Sequence, residues 1–127
     1  MRIKHTVNVN IATDTDMQNL IFGPNKNLAE AIYDAYTKQA SGTINIGQGT
    51  NENLDFGDVD NVYGLYLKVD QDCVLKLNGG TEEINITKGI STTYDFAQFF
   101  IEAALTAVNI TAPADEDLTG TYCVWGE

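Results

Sequence analysis

Hydrophobic and polar residues alternate along most of this chain. The clearest run is IKHTVNVNI, residues 3–11, where every odd position is Ile, His or Val and every even position is Lys, Thr or Asn. Shorter runs of the same period follow in GTINIG, VYGLYLKV, CVLKL, EINIT and TYCVWGE. A period of two places one set of side chains on each face of a β-strand, so the chain is predicted to be mainly β.

One segment departs from this period and predicts an α-helix over about residues 28–40. Apolar residues recur at helical spacing in LAEAIYDAYTKQA. Asn27 is placed to cap the helix, and Glu30 three residues later is placed to return the contact. Gly42 is expected to end the helix, because glycine accepts the left-handed conformation of a C-cap.

The segment AQFFIEAALTAVNIT, which begins at Ala97, is compatible with two structures. We interpret it as a strand, in which a β-bulge reconciles Leu105 and Val108 because they lie out of phase. A helix over residues 95–104 is the alternative, since this part is rich in alanine and phenylalanine.

Two short polar stretches are predicted to be turns. Asn78-Gly79-Gly80 is a strong hairpin turn, because asparagine and glycine tolerate positive φ. VDQDC joins two strands through Asp70 and Asp72, and aspartate favours turns because its side chain can bond its own backbone. We therefore interpret the DQDC corner as architecture and not as a ligand site.

Seven or eight short strands separated by glycine-containing turns are typical of an antiparallel β-sandwich. A chain of 127 residues is ordinary for one domain. We therefore predict a single β-sandwich domain over residues 1–127, with a helix-bearing insertion at about residues 12–42.

Asparagine recurs between β-branched residues in VNVNI, INIG, INIT and VNIT. On a strand these asparagines fall on the solvent face. The exposed sheet surface is therefore predicted to be rich in amides instead of lysines, which suits packing against other subunits.

Charge narrows the range of partners. The chain carries a net charge of −11, with eighteen acids against seven bases. Such a surface repels phosphate backbones and anionic lipids, so neither nucleic acid nor membrane is an expected partner. The beginning of the chain lacks the pattern of a signal peptide, and we expect synthesis in a cytoplasm. Arg2, Ile3, Lys4 and His5 are interface candidates, because they put cations and apolar residues at one end of an acidic chain.

Catalytic and metal-binding signals are weak. His5 is the one histidine, and it lies on the apolar face of a predicted strand, without a nucleophile and base constellation around it. We expect a non-enzymatic protein without a cofactor. Paired acids could offer oxygens to calcium, with Asp58 and Asp60 or Asp115 and Asp117 as the better loops, but none of these forms a complete calcium-binding loop.

The two cysteines, Cys73 and Cys123, are too few for a disulfide framework. Each lies among apolar neighbours in an alternating strand, so both are predicted to be reduced and buried.

Aromatic residues leave a sugar-binding module open as a different class of function, because such modules stack sugars on exposed rings. Ordinary packing in the core or at an interface is the favoured role of these rings. The possible platforms are Tyr33, Tyr36, Tyr63, Tyr66, Tyr94, Tyr122 and Trp125.

The second half of the chain, residues 60–127, resembles small structural proteins of tailed bacteriophage virions. The resemblance lies in the order of GLYLKVDQDCVLKLNGGTEEINI, an apolar strand in AQFFIEAALTAVNIT, and a final strand in TGTYCVWGE. Residues 12–42 have no counterpart in it.

The resemblance implies a β-sandwich or jelly-roll that assembles in many copies without a cofactor. It leads to the expectation of a virion structural protein, a capsid decoration or cement protein, whose partners are other virion proteins and copies of itself. A head–tail junction or tail component is the nearest alternative, and a carbohydrate-binding module on a fibre is the second. The expected location is the virion, after synthesis in the host cytoplasm.

Overall fold

The alternating runs form strands in a computed structural model of the protein, which describes residues 3–8, 11–12, 20–22, 27–33, 37–89 and 95–127. The described residues form twelve strands, β1 to β12. They belong to two units, Met1–Thr37 and Lys38–Glu127, each with its own internal packing.

The described residues of the first unit form four strands in nested antiparallel pairs. Its strands are β1 (Ile3–Asn8), β2 (Ile11–Ala12), β3 (Leu20–Phe22) and β4 (Asn27–Tyr33). β1 pairs with β4, and β2 pairs with β3 between them. The N-terminal strand predicted over residues 3–11 is therefore confirmed for Ile3–Asn8, and its partner is another strand of its own chain.

The predicted helix over about residues 28–40 is wrong. Asn27–Tyr33 is strand β4, and Lys38–Ile46 is strand β5. None of the described residues is helical. Helix propensity is a weak prior that tertiary pairing overrides. Here β4 pairs with β1, and β5 pairs with β12 along its whole length.

The second unit contains two four-stranded antiparallel sheets. The order of strands in sheet 1 is β10-β7-β12-β5, and the order in sheet 2 is β6-β11-β8-β9. Their bounds are β5 (Lys38–Ile46), β6 (Asn51–Asn53), β7 (Val62–Val69), β8 (Cys73–Leu77), β9 (Ile84–Ile86), β10 (Ala97–Leu105), β11 (Val108–Thr111) and β12 (Leu118–Gly126).

The pairing in this unit is nested. If β5 is counted as the first strand and β12 as the eighth, the sheet orders read 6-3-8-1 and 2-7-4-5. The first strand pairs with the eighth, the second with the seventh, the third with the sixth and the fourth with the fifth. Residues 38–127 thus follow the path of one long antiparallel ribbon, folded so that its successive segments alternate between the two sheets.

Both sheets contribute to one hydrophobic core. Leu65, Leu67 and Val124 from sheet 1 and Leu75 and Ile110 from sheet 2 are fully buried in the same cluster. Burial of each such side chain contributes about 1.5–3 kcal/mol. The described part of the chain is therefore mainly β, and the two antiparallel sheets of the second unit contribute to the same core.

Two predictions for the second unit are confirmed. Asn78 and Gly79 both have positive φ, and Gly80 N donates to Leu77 O at 2.9 Å, so this is a tight turn. It lies between β8 and β9, at the tip of the folded ribbon. Residues 97–105 are strand and not helix. The single strand expected beyond Leu105 is wrong, because Val108–Thr111 is a separate strand in the other sheet. The pairing of β10 with β7 shifts register between Glu102 and Leu105, before the position at which the bulge was predicted.

Candidate assembly surfaces

The N-terminal interface candidates lie on β1. The register places Ile3 opposite Tyr33, Lys4 opposite Ile32 and His5 opposite Ala31. Arg2 lies outside the described residues. Their role in contacts with other copies stays a prediction.

Asp58 and Asp60, the first pair of calcium candidates, face a lysine. Lys38 Nζ donates to Asp60 Oδ2 at 2.8 Å. This hydrogen bond, helped by the charges of Asp60 and Asp58, raises the pKa of Lys38. The positive charge beside these two acids is therefore that of the Lys38 ammonium group.

Asp115 and Asp117, the second pair of calcium candidates, have different surroundings. Asp117 Oδ1 accepts a hydrogen bond from Gln48 N at 2.9 Å, while Asp115 is exposed. Their neighbour Glu116 contributes to the raised pKa of Lys88, although the main cause is the hydrogen bond from Lys88 to Asp95. Among the described residues, no three His, Cys, Asp or Glu side chains are grouped as a metal ion would require.

The DQDC corner joins the two sheets. It leads from β7 in sheet 1 to β8 in sheet 2, so the two strands that it joins do not pair with each other. Asp70 accepts hydrogen bonds from Thr119 N at 2.9 Å and from Thr119 Oγ1 at 2.8 Å. Asp72 Oδ1 accepts from Lys88 N at 2.8 Å. Both carboxylates hold neighbouring segments, which supports the interpretation of this corner as architecture.

A surface cavity of about 190 Å³ lies beside this corner. Cys73 is among its lining residues and is 4% exposed. Burial, with a smaller effect of the Asp72 charge, raises the pKa of the Cys73 thiol to about 11. A thiol that stays protonated at neutral pH is a poor nucleophile. The cavity therefore offers hydrogen-bonding groups from Asp72, Asn85 and Thr111, but not an activated cysteine.

The two cysteines differ in exposure. The predicted burial is confirmed for Cys73 and is wrong for Cys123, which is only partly buried; both are free thiols. Cys123 lies at a position of β12 that faces away from the core, between the buried Tyr122 and Val124.

This difference predicts selective labelling. At pH 7.5, a maleimide should modify Cys123 in the native protein and leave Cys73 unmodified, because modification requires access and a thiolate. Mass spectrometry of peptides after quenching measures both sites. A Cys123→Ser variant should then label only after addition of denaturant. Equal labelling rates of the two cysteines in native protein would contradict this assignment.

The outer face of sheet 1 carries a group of aromatic residues, here called the aromatic face: Phe100 on β10, Tyr66 on β7 and Trp125 on β12. The register places these residues on the side opposite to the core. The rings of Phe100 and Trp125 are stacked, with centroids 5.9 Å apart and an interplanar angle of 30°. Trp125 is 5% exposed, while Phe100 is 38% exposed. Of the three rings on this face, that of Phe100 is the most exposed.

Gly64 lies directly beneath the indole ring of Trp125. The two residues are cross-strand neighbours on β7 and β12. A Cβ atom at position 64 would collide with Cε2, Cζ2 and Nε1 of the indole. The indole lies flat against the sheet because this position has no side chain.

The outer face of sheet 2 is the amide face, formed by Asn51, Asn53, Asn85, Asn109 and Thr111. Asn109 Nδ2 donates to Oδ1 of both Asn51 and Asn53 at 3.0 Å, which links β11 to β6. Asn85 is exposed on β9. The nearby charges of Lys76 and Glu83 form an ion pair at 3.6 Å. This confirms the predicted surface of amides at Asn85 and Asn109.

The local sequence pattern did not predict the Phe100–Trp125 stack, the position of Gly64 beneath Trp125, or the pairing of Asn109 with β6. These groups form between strands that are distant in sequence, and only the register brings them together. Asn51 and Asn53 alternate in NEN, which is a local signal for strand β6.

Comparison with models of protein families, with curated proteins and with solved structures found no significant match for this chain. Within the described ranges, no helix has the length and apolar character needed to cross a membrane.

Proposed function

We propose that this chain is a non-enzymatic structural protein of a bacteriophage virion that acts through contacts among many copies and with other virion proteins. Capsid decoration or cement is the role we favour. The proposal begins from the resemblance of residues 60–127 to small virion proteins, and the observation that carries it is the order of the strands in residues 38–127.

The strand order supports a jelly roll. In that fold an eight-stranded ribbon wraps into two sheets, and each strand of the first half pairs with its counterpart in the second half. The orders 6-3-8-1 and 2-7-4-5 have this nested pairing. Jelly rolls are frequent in viral capsid proteins and in lectins, so the strand order is compatible with both of the function classes considered.

The surface properties favour assembly over sugar binding. Trp125 and Tyr122 are buried, so neither ring can serve as a platform for a sugar. Tyr122 Oη instead donates to Asp55 O at 2.7 Å, as expected of a buried tyrosine. The amide face is close to neutral on a strongly acidic chain, and a neutral polar surface can meet another subunit with little electrostatic repulsion.

Mass spectrometry of purified virions from the source of this sequence tests the proposal. We expect the chain in the particles, at a copy number comparable to that of the major capsid protein. A copy number far below that would favour the head–tail junction or tail role. Absence of the chain from intact particles, despite its expression in infected cells, would contradict the proposal.

A further inference from the structure

The four edge strands of the two sheets differ in how open they are to pairing with another strand. Unpaired edge strands expose rows of N–H and C=O groups, and proteins normally protect them by shortness, bulges or charge. β6 and β9 have only three residues each. β10 is longer, but its register shifts near its end and it carries Glu102. Three of the four edges therefore carry a recognised form of protection.

β5 lacks these forms of protection. It runs for nine residues, Lys38–Ile46, and pairs with β12 without a register shift. Among the described strands, β12 is its one partner, so its other edge pairs with no described strand. It contains no proline, and residues 39–47, QASGTINIG, carry no charge. The charge at its first residue, Lys38, is already paired with Asp60 at 2.8 Å.

The sequence of β5 is compatible with pairing to a second copy of itself. Antiparallel pairing about Gly42 would place Ser41 opposite Thr43, Ala40 opposite Ile44 and Gln39 opposite Asn45. Core-facing positions then meet core-facing positions, and solvent-facing positions meet solvent-facing positions, as a sheet requires. Gly42 at the centre adds no side chain at the axis.

The uncharged β5 edge is compatible with the approach of a second, equally acidic copy. Residues 38–127 contain fourteen of the eighteen acids and four of the seven bases, which gives this unit a charge of −10. Two copies repel each other over most of their surface. The β5 edge lets them approach where neither carries an unpaired charge, and a like charge directly opposite another would destabilise the pair.

We propose that β5 is an assembly edge, at which two copies pair antiparallel and join their four-stranded sheets into one continuous sheet. This inference rests on the proposed multi-copy role, for which it supplies a specific contact. One added strand pair buries little surface, so we expect a weak dimer with a Kd of about 10–100 µM.

The test is sedimentation equilibrium of the full chain and of charge variants at the exposed positions Ser41 and Thr43. S41K/T43K places lysine opposite lysine twice in the pair, and we expect it to raise the Kd by about tenfold or more. S41E/T43K places glutamate opposite lysine and should restore the affinity to near the original value. Thr121→Lys is the matched control, because Thr121 is exposed and lies beside Thr43 on the same face, but on the interior strand β12.

A spin label tests whether two copies of β5 pair in the proposed antiparallel register. In a Cys123→Ser background, a nitroxide at Thr43→Cys should show spin–spin broadening in the dimer, because diagonal cross-strand positions lie about 7–8 Å apart. Self-association without this broadening would overturn the proposal, since another segment would then form the contact. Equal weakening by Thr121→Lys and S41K/T43K, or an unchanged Kd for S41K/T43K, would also overturn it.

The outcomes separate this inference from the proposed function. A chain that is present in virions but stays monomeric at about 1 mM would overturn the β5 contact and leave the virion role standing. A chain that dimerises through β5 but is absent from virions would support the β5 contact and overturn the virion role.

Discussion

Replacing Gly64 with alanine is expected to destabilise the protein by about 3 kcal/mol. The new Cβ collides with the indole of Trp125, which is held flat on the sheet and stacked with Phe100. The indole must leave its position or β7 must move away from β12, and overpacking of this kind costs about 1–3 kcal/mol, occasionally more. Urea unfolding of the two proteins measures the difference.

The single tryptophan of the chain reports on this site directly. We expect its fluorescence to shift to longer wavelength in Gly64→Ala, because the ring moves toward water. Gly47→Ala is the control, since a Cβ there meets its nearest atom, Thr50 Oγ1, at 3.7 Å. It should leave stability and fluorescence almost unchanged.

A double-mutant cycle identifies the cause. In a Trp125→Leu background, Gly64→Ala should cost less than about 1 kcal/mol, because the ring that meets the new Cβ is gone. If the cost of Gly64→Ala were the same in both backgrounds, the collision with Trp125 would not be its origin.

Replacing Asn78 with alanine is expected to destabilise the protein by about 2–3 kcal/mol. Asn78 has φ of 55°, and the left-handed conformation costs alanine about 1 kcal/mol or more. The substitution also removes three hydrogen bonds: from Asn78 Nδ2 to Ala104 O at 3.2 Å, from Thr106 N to Asn78 Oδ1 at 2.7 Å, and a longer one from Thr106 Oγ1 to Asn78 Oδ1 at 3.4 Å. Each such bond contributes about 1 kcal/mol.

Three variants separate these contributions, with thermal and urea unfolding as the measurements. Asn78→Gly keeps the backbone conformation and loses all three side-chain bonds. Asn78→Asp keeps the acceptor for Thr106 N and loses the donor to Ala104 O. Gly79→Ala strains the same turn at φ of 70° but removes no side-chain contact, and its Cβ meets no atom within 4 Å. Equal stability of Asn78→Ala and Asn78→Gly would show that backbone conformation contributes nothing here.

The strands and this turn could be predicted from the sequence because their signals are local. Alternation in residues 62–69 and 73–77 corresponds to β7 and β8, and Asn78-Gly79 adopts the positive φ that its residue types favour. The amides of Asn85 and Asn109 point to solvent for the same reason, since a strand turns alternate residues to opposite faces.

The helix prediction failed where local signals supported two structures. LAEAIY contains good helix formers, but nothing in it prevents a strand, and β1 provides a partner along its length. Gly42 was interpreted as a helix end, although it lies inside β5. A Cβ at Gly42 would lie 2.6 Å from the Tyr122 ring, so this glycine makes room for a cross-strand neighbour.

By itself, the sequence determined that this chain is mainly β, where most of its strands run, where its tightest turn lies and that the DQDC corner is structural. The tertiary structure decided that this corner crosses between sheets, that β5 pairs with β12, and that Gly64 lies beneath Trp125. The physical reason is the distance along the sequence over which each signal acts. Alternation and turn chemistry act over a few residues, whereas strand order and register depend on burial shared between distant segments.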